Sequence, residues 1–167
     1  EYTSGGSFEV VALPDSITDM TNAFIAASGL TKAPAIPNKI TNLAGVFSSC
    51  SNLIDAPDLN NATSVINMSA TFSYCTNLIN APVIPNSVIN MYGTFSHCIN
   101  LVNAPAIPNS VTNIANTFVD CNHLVNAPVI PNGVTNMYET FRGCSNLVNG
   151  PVIPNGVDNM GWTFDTC

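Results

Sequence analysis

The sequence predicts a repeat solenoid: about seven coils of 23 residues, each with a short parallel β-strand and a short helical turn. Three observations predict it. One phrase returns at a fixed spacing, one Phe column never varies between copies, and paired prolines followed by Asn punctuate five of the seven copies. A compact single core has no use for identical spacing, because each of its positions sits in a different environment. A unit that buries its apolar face only against a copy of itself does need it.

The copies start at Val10, Ala33, Ala56, Ala81, Ala104, Ala127 and Gly150. They divide the chain into a lead-in at 1–9 and a single solenoid with repeats 10–32, 33–55, 56–80, 81–103, 104–126, 127–149 and 150–167, the last incomplete. The invariant column is Phe24, Phe47, Phe72, Phe95, Phe118, Phe141 and Phe164, seven of the eight Phe present. Four residues earlier stand Met20, Leu43, Met68, Met91, Ile114, Met137 and Met160. Three residues later come Ala27, Cys50, Cys75, Cys98, Cys121, Cys144 and Cys167. Offsets of four and three place these side chains on one face of a short helical turn. Asp19, Asn42, Asn67, Asn90, Asn113, Asn136 and Asn159 precede the turn and suit its cap.

The segment after Leu53, Leu78, Leu101, Leu124 and Leu147, as in "LVNAPVIP", reads as the short buried strand. Its two proline columns cannot donate to a ladder, so the strand is short or loses a hydrogen bond in every coil. "PNG" or "PNS" then turns the chain, and Ile17, Ile40, Val65, Val88, Val111, Val134 and Val157 return it inward.

"VTNMYETFRGCSNL" (Val134–Leu147) resembles the BspA-like leucine-rich-repeat surface proteins, in the class that repeats V-T-N-M-x-x-[MT]-F-x-x-C-x-x-L. "ATSVINMSATFSYCTNL" (Ala62–Leu78) is similar to that class down to its longer spacing, and the likeness covers nearly the whole chain from Val10. It departs from the class in its doubled prolines and in having Ala and Val where strand Leu and Ile are usual. The resemblance implies a leucine-rich-repeat-like solenoid at a bacterial or protist cell surface, associated with adhesion, and no catalytic residues.

Composition narrows the partners. Charged residues make up 8% of the chain against a usual ~25%, so Asn, Ser and Thr carry the polar surface. Three basic residues against ten acidic ones give a net charge of −7, which argues against nucleic acid and anionic membranes. No apolar run approaches a membrane span, so no insertion is expected. The chain opens at Glu1 without Met or a leader, and reads as a mature or excised segment.

Six Cys in an extracellular setting invite disulfides. In-register coils, however, hold equivalent Cβ atoms about 4.8 Å apart and parallel, beyond the ~3.5–4.5 Å a bridge requires. A column of buried free thiols is expected. His97, Cys98, Cys121 and His123 have zinc-ligand chemistry, but nothing repeats the arrangement and the Cys should face the core. No metal or cofactor is expected. Sequons occur at Asn61 and Asn67; Asn67 is a cap position, which leaves Asn61 as the better acceptor.

If Met, Phe and Cys face inward, the two positions after Met and the two after Phe face out. There the chain places Tyr74, Tyr92, His97, Asp120, Tyr138, Glu139, Arg142, Trp162 and Asp165, the candidate contact surface. Tyr74, His97 and Asp120 share a column on successive coils, as do Arg142 and Asp165. The trio has the ingredients of an acid–base relay, but no nucleophile column flanks it and an outward ladder has no pocket to exclude water. Exposed Tyr, Trp and Arg are instead what interfaces favour. The expected role is therefore a non-enzymatic extracellular scaffold that binds a protein or glycan. The alternative is a structural subunit of a filament, sheath or virion that self-associates through solenoid ends, motivated by a last repeat without a polar cap.

Overall fold

The computed structural model describes residues 6–167; residues 1–5 of the expected lead-in lie outside that range. Strand β1 (Phe8–Glu9) pairs in parallel with β2 (Leu30–Lys32). Beyond them the coils are joined by isolated parallel bridges in two lines. One runs through Lys32, Asp55, Asn80, Asn103, Asn126 and Asn149, and the other through Asn42, Asn67, Asn90, Asn113, Asn136 and Asn159. The expected strand in every coil thus shrinks to one bridging residue. Two residues past each of the bridging residues Asn80, Asn103, Asn126 and Asn149 stands a proline without an N–H, so pairing stops there.

The expected helical turn is also corrected: among the described residues no helix forms. In the Met-to-Cys segment, N–H groups alternate between two destinations. Thr94 N donates to Met91 O and Ser96 N to Gly93 O, each closing a turn. Between them Gly93 N donates to Ala115 O, Phe95 N to Thr117 O and His97 N to Val119 O, all on the next coil. A helix would send these groups back along its own axis. The alternation requires left-handed backbone two residues after each Met-column position and two after each Phe. Those positions have φ between +51° and +74° in every copy, from Asn22 and Ala26 to Trp162 and Thr166.

The side chains that face inward stack on their own copies. The Phe rings from Phe24 to Phe164 form one line with centroids 5.4–5.8 Å apart and planes within 8° of parallel, an offset-stacked arrangement. The five from Phe47 to Phe141 are fully buried, whereas Phe24 is half-buried and Phe164 is 40% exposed. Burial is thus complete along the middle of the line and falls off at Phe24 and Phe164. Phe8 lies outside the line, 44% exposed. Leu, Ile, Val and Met columns complete the core around the rings. A Thr column unforeseen from sequence runs beside Phe. Thr71, Thr94, Thr117, Thr140 and Thr163 are buried, with hydroxyls bonded to backbone carbonyls of the preceding coil, as Thr117 Oγ1 to Met91 O at 2.7 Å.

Asn caps without a helix. Asn90 Oδ1 accepts from Tyr92 N at 3.0 Å, and the same bond recurs at Asn42, Asn67, Asn113, Asn136 and Asn159. Each is an Asx-type turn. The amides also bond to one another: Asn67 Nδ2 donates to Asn42 Oδ1 at 3.0 Å, and Asn90 to Asn67 and Asn113 to Asn90 at 3.1 Å. This engages the amide of the second sequon, while Asn61 is exposed.

All six cysteines are free, and all but Cys167 are buried. Each thiol donates to the Phe carbonyl of the preceding coil, as Cys98 Sγ to Phe72 O at 3.1 Å. Burial pushes the Cys50 thiol up to about 11 and Cys144 up to about 12, and drives Cys98 and Cys121 well above the ordinary range.

Two expectations follow. Phe95→Ala opens a cavity in a packed line and should cost ~3–5 kcal/mol, read as a lowered midpoint in denaturant; a midpoint like the wild type's would contradict the ladder. The thiols set an alkaline limit. Unfolded thiols ionise near ~8.5 while the buried ones stay protonated, so above that pH the unfolded state binds fewer protons and stability falls as pH rises. A melt series from about pH 8 to 10 should show the decline, and Cys121→Ala should make it shallower. An unchanged slope would remove the thiols as its cause.

Candidate functional site

The turn segments form a ridge along the solenoid, and all nine outward residues predicted from sequence lie on it. Tyr74, Tyr92, Arg142 and Trp162 are exposed, while His97, Asp120, Tyr138, Glu139 and Asp165 are half-buried. In-register stacking joins most of them into two groups. In the first, the Tyr74 ring stacks on the His97 ring with centroids 4.2 Å apart, and His97 Nδ1 lies 3.2 Å from Asp120 Oδ2. In the second, Arg142 lies 3.4 Å from Asp165 through Nε and 3.5 Å from Glu139 through its terminal nitrogen. The neighbouring Glu139 carboxylate favours the protonated Tyr138 phenol and pushes it above its ordinary value.

The groups meet at one point. The Asp120 carboxylate folds against Gly143, in the place a Cβ would occupy, and Asp120 N donates to Arg142 O at 2.7 Å. Tyr138 likewise lies over Gly161, where an added Cβ would sit 3.0 Å from the ring. Tyr92 and Trp162 project from the same ridge, Trp162 being 63% exposed.

Five of the nine residues, Tyr74, His97, Asp120, Glu139 and Trp162, have left-handed backbone, with φ from +53° to +60°. Elsewhere in the same two columns the chain uses Gly45, Gly93 and Gly143, for which this conformation is free of strain, and the smaller side chains of Asn22, Ala26, Ser49, Ala70, Asn116 and Thr166. A side chain there costs roughly 1–2 kcal/mol, so the bulky residues stand against the local preference. The glycines, with Asn22 and Asn116, were the sequence signal for these columns. Periodicity does not report the sign of φ, so the signal passed unread.

Sequence reasoning also missed the opposite side. Five open grooves of about 270 to 620 Å3 lie between the proline-bearing segments of neighbouring coils, one of them between Asn80–Asn86 and Asn103–Asn109. None of these five is lined by the nine ridge residues. Val83, Val129 and Val152 stand out of that face, each more than 70% exposed. The four candidate zinc ligands are turned to separate partners. His97 faces Asp120, His123 Nδ1 lies 2.7 Å from Ile99 O, and the Cys98 and Cys121 thiols bond to Phe72 and Phe95.

A family model of the BspA type leucine rich repeat region matches residues 4–92 and 68–167 in six copies. The chain belongs to that family. The chain is also similar to solved structures of leucine-rich proteins. A leucine rich repeat protein of T. pallidum is 27% identical with a TM-score of 0.73, covering 90% of this chain and 72% of that one. A leucine rich cell surface protein of Faecalibacterium prausnitzii is 22% identical with a TM-score of 0.59; the match covers 89% of this chain but 36% of that one. It shares the fold. A search of curated proteins gave no match. Among the chain's own copies Phe recurs in every coil and Cys and Leu in most, whereas the ridge columns vary.

One pair of substitutions tests the reading of ridge strain. Trp162→Gly should leave stability unchanged or raise it by up to ~1 kcal/mol, against the ~1 kcal/mol loss of an average substitution. Gly143→Ala should lower it by more than ~1 kcal/mol, because it adds a Cβ at positive φ against Asp120. Chemical denaturation gives both values; a loss at Trp162→Gly equal to that at Gly143→Ala would remove strain as the distinguishing feature.

Proposed function

We propose that this chain is an extracellular repeat scaffold at a cell surface that binds a macromolecular partner through the ridge, in adhesion and without catalysis. One observation carries the reading. Tyr74, His97, Asp120, Glu139 and Trp162 occupy left-handed positions that glycine fills elsewhere in the same columns, and backbone strain held in place in this way clusters at functional surfaces. The F. prausnitzii protein of the same fold is a cell surface protein by its name, which supports the location. Tyr, Trp and Arg on a rigid frame are also the side chains that dominate binding energy at interfaces.

The test separates binding from folding. Wild-type protein is applied to an array of extracellular-matrix proteins and glycans, beside Tyr74→Gly, His97→Gly and Trp162→Gly combined. The variant should melt within about 1 kcal/mol of the wild type, strain relief offsetting the lost stack, yet lose capture. Capture unaffected by the variant, or abolished instead by Val83→Ser with Val129→Ser, would reject the ridge. Long polymers of the wild type in negative stain would replace adhesion by the structural-subunit reading.

A further inference from the structure

We infer that the ridge takes a cationic polypeptide segment, one that presents Arg or Lys side chains in extended form. This rests on the reading of the ridge as the contact surface and names its partner. The first ground is charge. Of the three basic residues, Lys32 and Lys39 line the grooves of the proline side. On the ridge Arg142 is the one Lys or Arg beside three carboxylates, pairing with Glu139 and Asp165 while Asp120 lies against His97. One guanidinium against three carboxylates leaves two negative charges in excess.

The second ground is what surrounds those charges. Tyr74, Tyr92 and Trp162 offer exposed aromatic faces beside the carboxylates. Such faces attract guanidinium and ammonium groups, Trp most strongly. Arg142 already shows the local chemistry, with carboxylates on the previous turn and on the next coil; an incoming Arg would find the same acceptors from the solvent side. The third ground is shape. Small ligands are held in concavities, and the grooves described above lie on the proline side. The ridge is an open line of side chains stepping from coil to coil, which suits a chain laid along it.

Fluorescence anisotropy with a labelled alternating Arg-Gly peptide tests this on the full chain, at low and at physiological salt. The wild type should bind, more weakly as salt rises. Trp162→Ala with Tyr92→Ala changes no charge and should weaken binding roughly tenfold. Asp120→Asn with Glu139→Gln should weaken it at least as much. Asp15→Asn with Asp58→Asn removes the same charge from the proline side and should leave binding unchanged, thermal melts confirming that all variants fold. Equal loss in this control would mean diffuse attraction to an acidic protein and would overturn the inference. So would a peptide that fails to bind while a neutral glycan on the array is captured in a ridge-dependent way; that result leaves the ridge standing as the contact surface. Array capture indifferent to every ridge substitution would take down both.

Discussion

Everything in this molecule follows from how the Met-to-Cys segment divides its backbone hydrogen bonds. Alternate N–H groups close turns within the coil, and the groups between them reach the next coil. Each coil is thereby bonded to its neighbour at every second residue, in register and without a strand. That register places Phe over Phe at 5.4–5.8 Å, and the buried ring line contributes ~1.5–3 kcal/mol for each ring removed from water. The same division forces two left-handed residues into every coil, which is where the ridge acquires its strain.

Stacking like on like also explains the composition. In such a column a charged residue sits directly beside its own copy, and like charges in that relation are destabilising. Asn has no such difficulty, because it carries both a donor and an acceptor and so bonds to itself, as Asn42, Asn67, Asn90 and Asn113 do. A buried Thr hydroxyl and a Cys thiol each find a carbonyl of the coil before. The chain's 8% of charged residues is therefore a consequence of register. Charges appear where a column changes sign or character between coils: Asp165 after Arg142, Asp120 after His97, Asn80 after Asp55.

The parts legible in the sequence are those that register alone decides. The Phe line, the free thiols, the Tyr74–His97–Asp120 column and the Arg142–Asp165 pair all follow from counting residues, and all are present. The helical turn was misread because offsets of three and four also describe a run of turns closed by i to i+3 bonds. Side-chain period is the same in both, whereas the handedness of single residues is not. The strand failed beyond β2 for a reason already visible in Pro82 and its copies, which deny the ladder an N–H. The grooves between those proline segments arise from backbone pairing that is missing, and no residue type marks them directly.

The division between fixed and variable columns then constrains where recognition lies. Phe, Cys, Leu and the capping Asn repeat because the stack requires them, and a side chain every coil requires carries no information about a partner. The ridge columns are free of that requirement, but they are not neutral ground. At the left-handed positions glycine and asparagine are the residues the backbone accepts at least cost, as Gly45, Gly93 and Asn116 illustrate. A Tyr, His, Glu or Trp there departs from both the repeat and the local preference, and stacking between coils offsets part of the strain only at Tyr74 and His97 among the aromatic rings on the ridge. At Tyr74, 50% exposed with φ +60°, the strain is set against a single stack on His97, and half of the residue stays open to solvent.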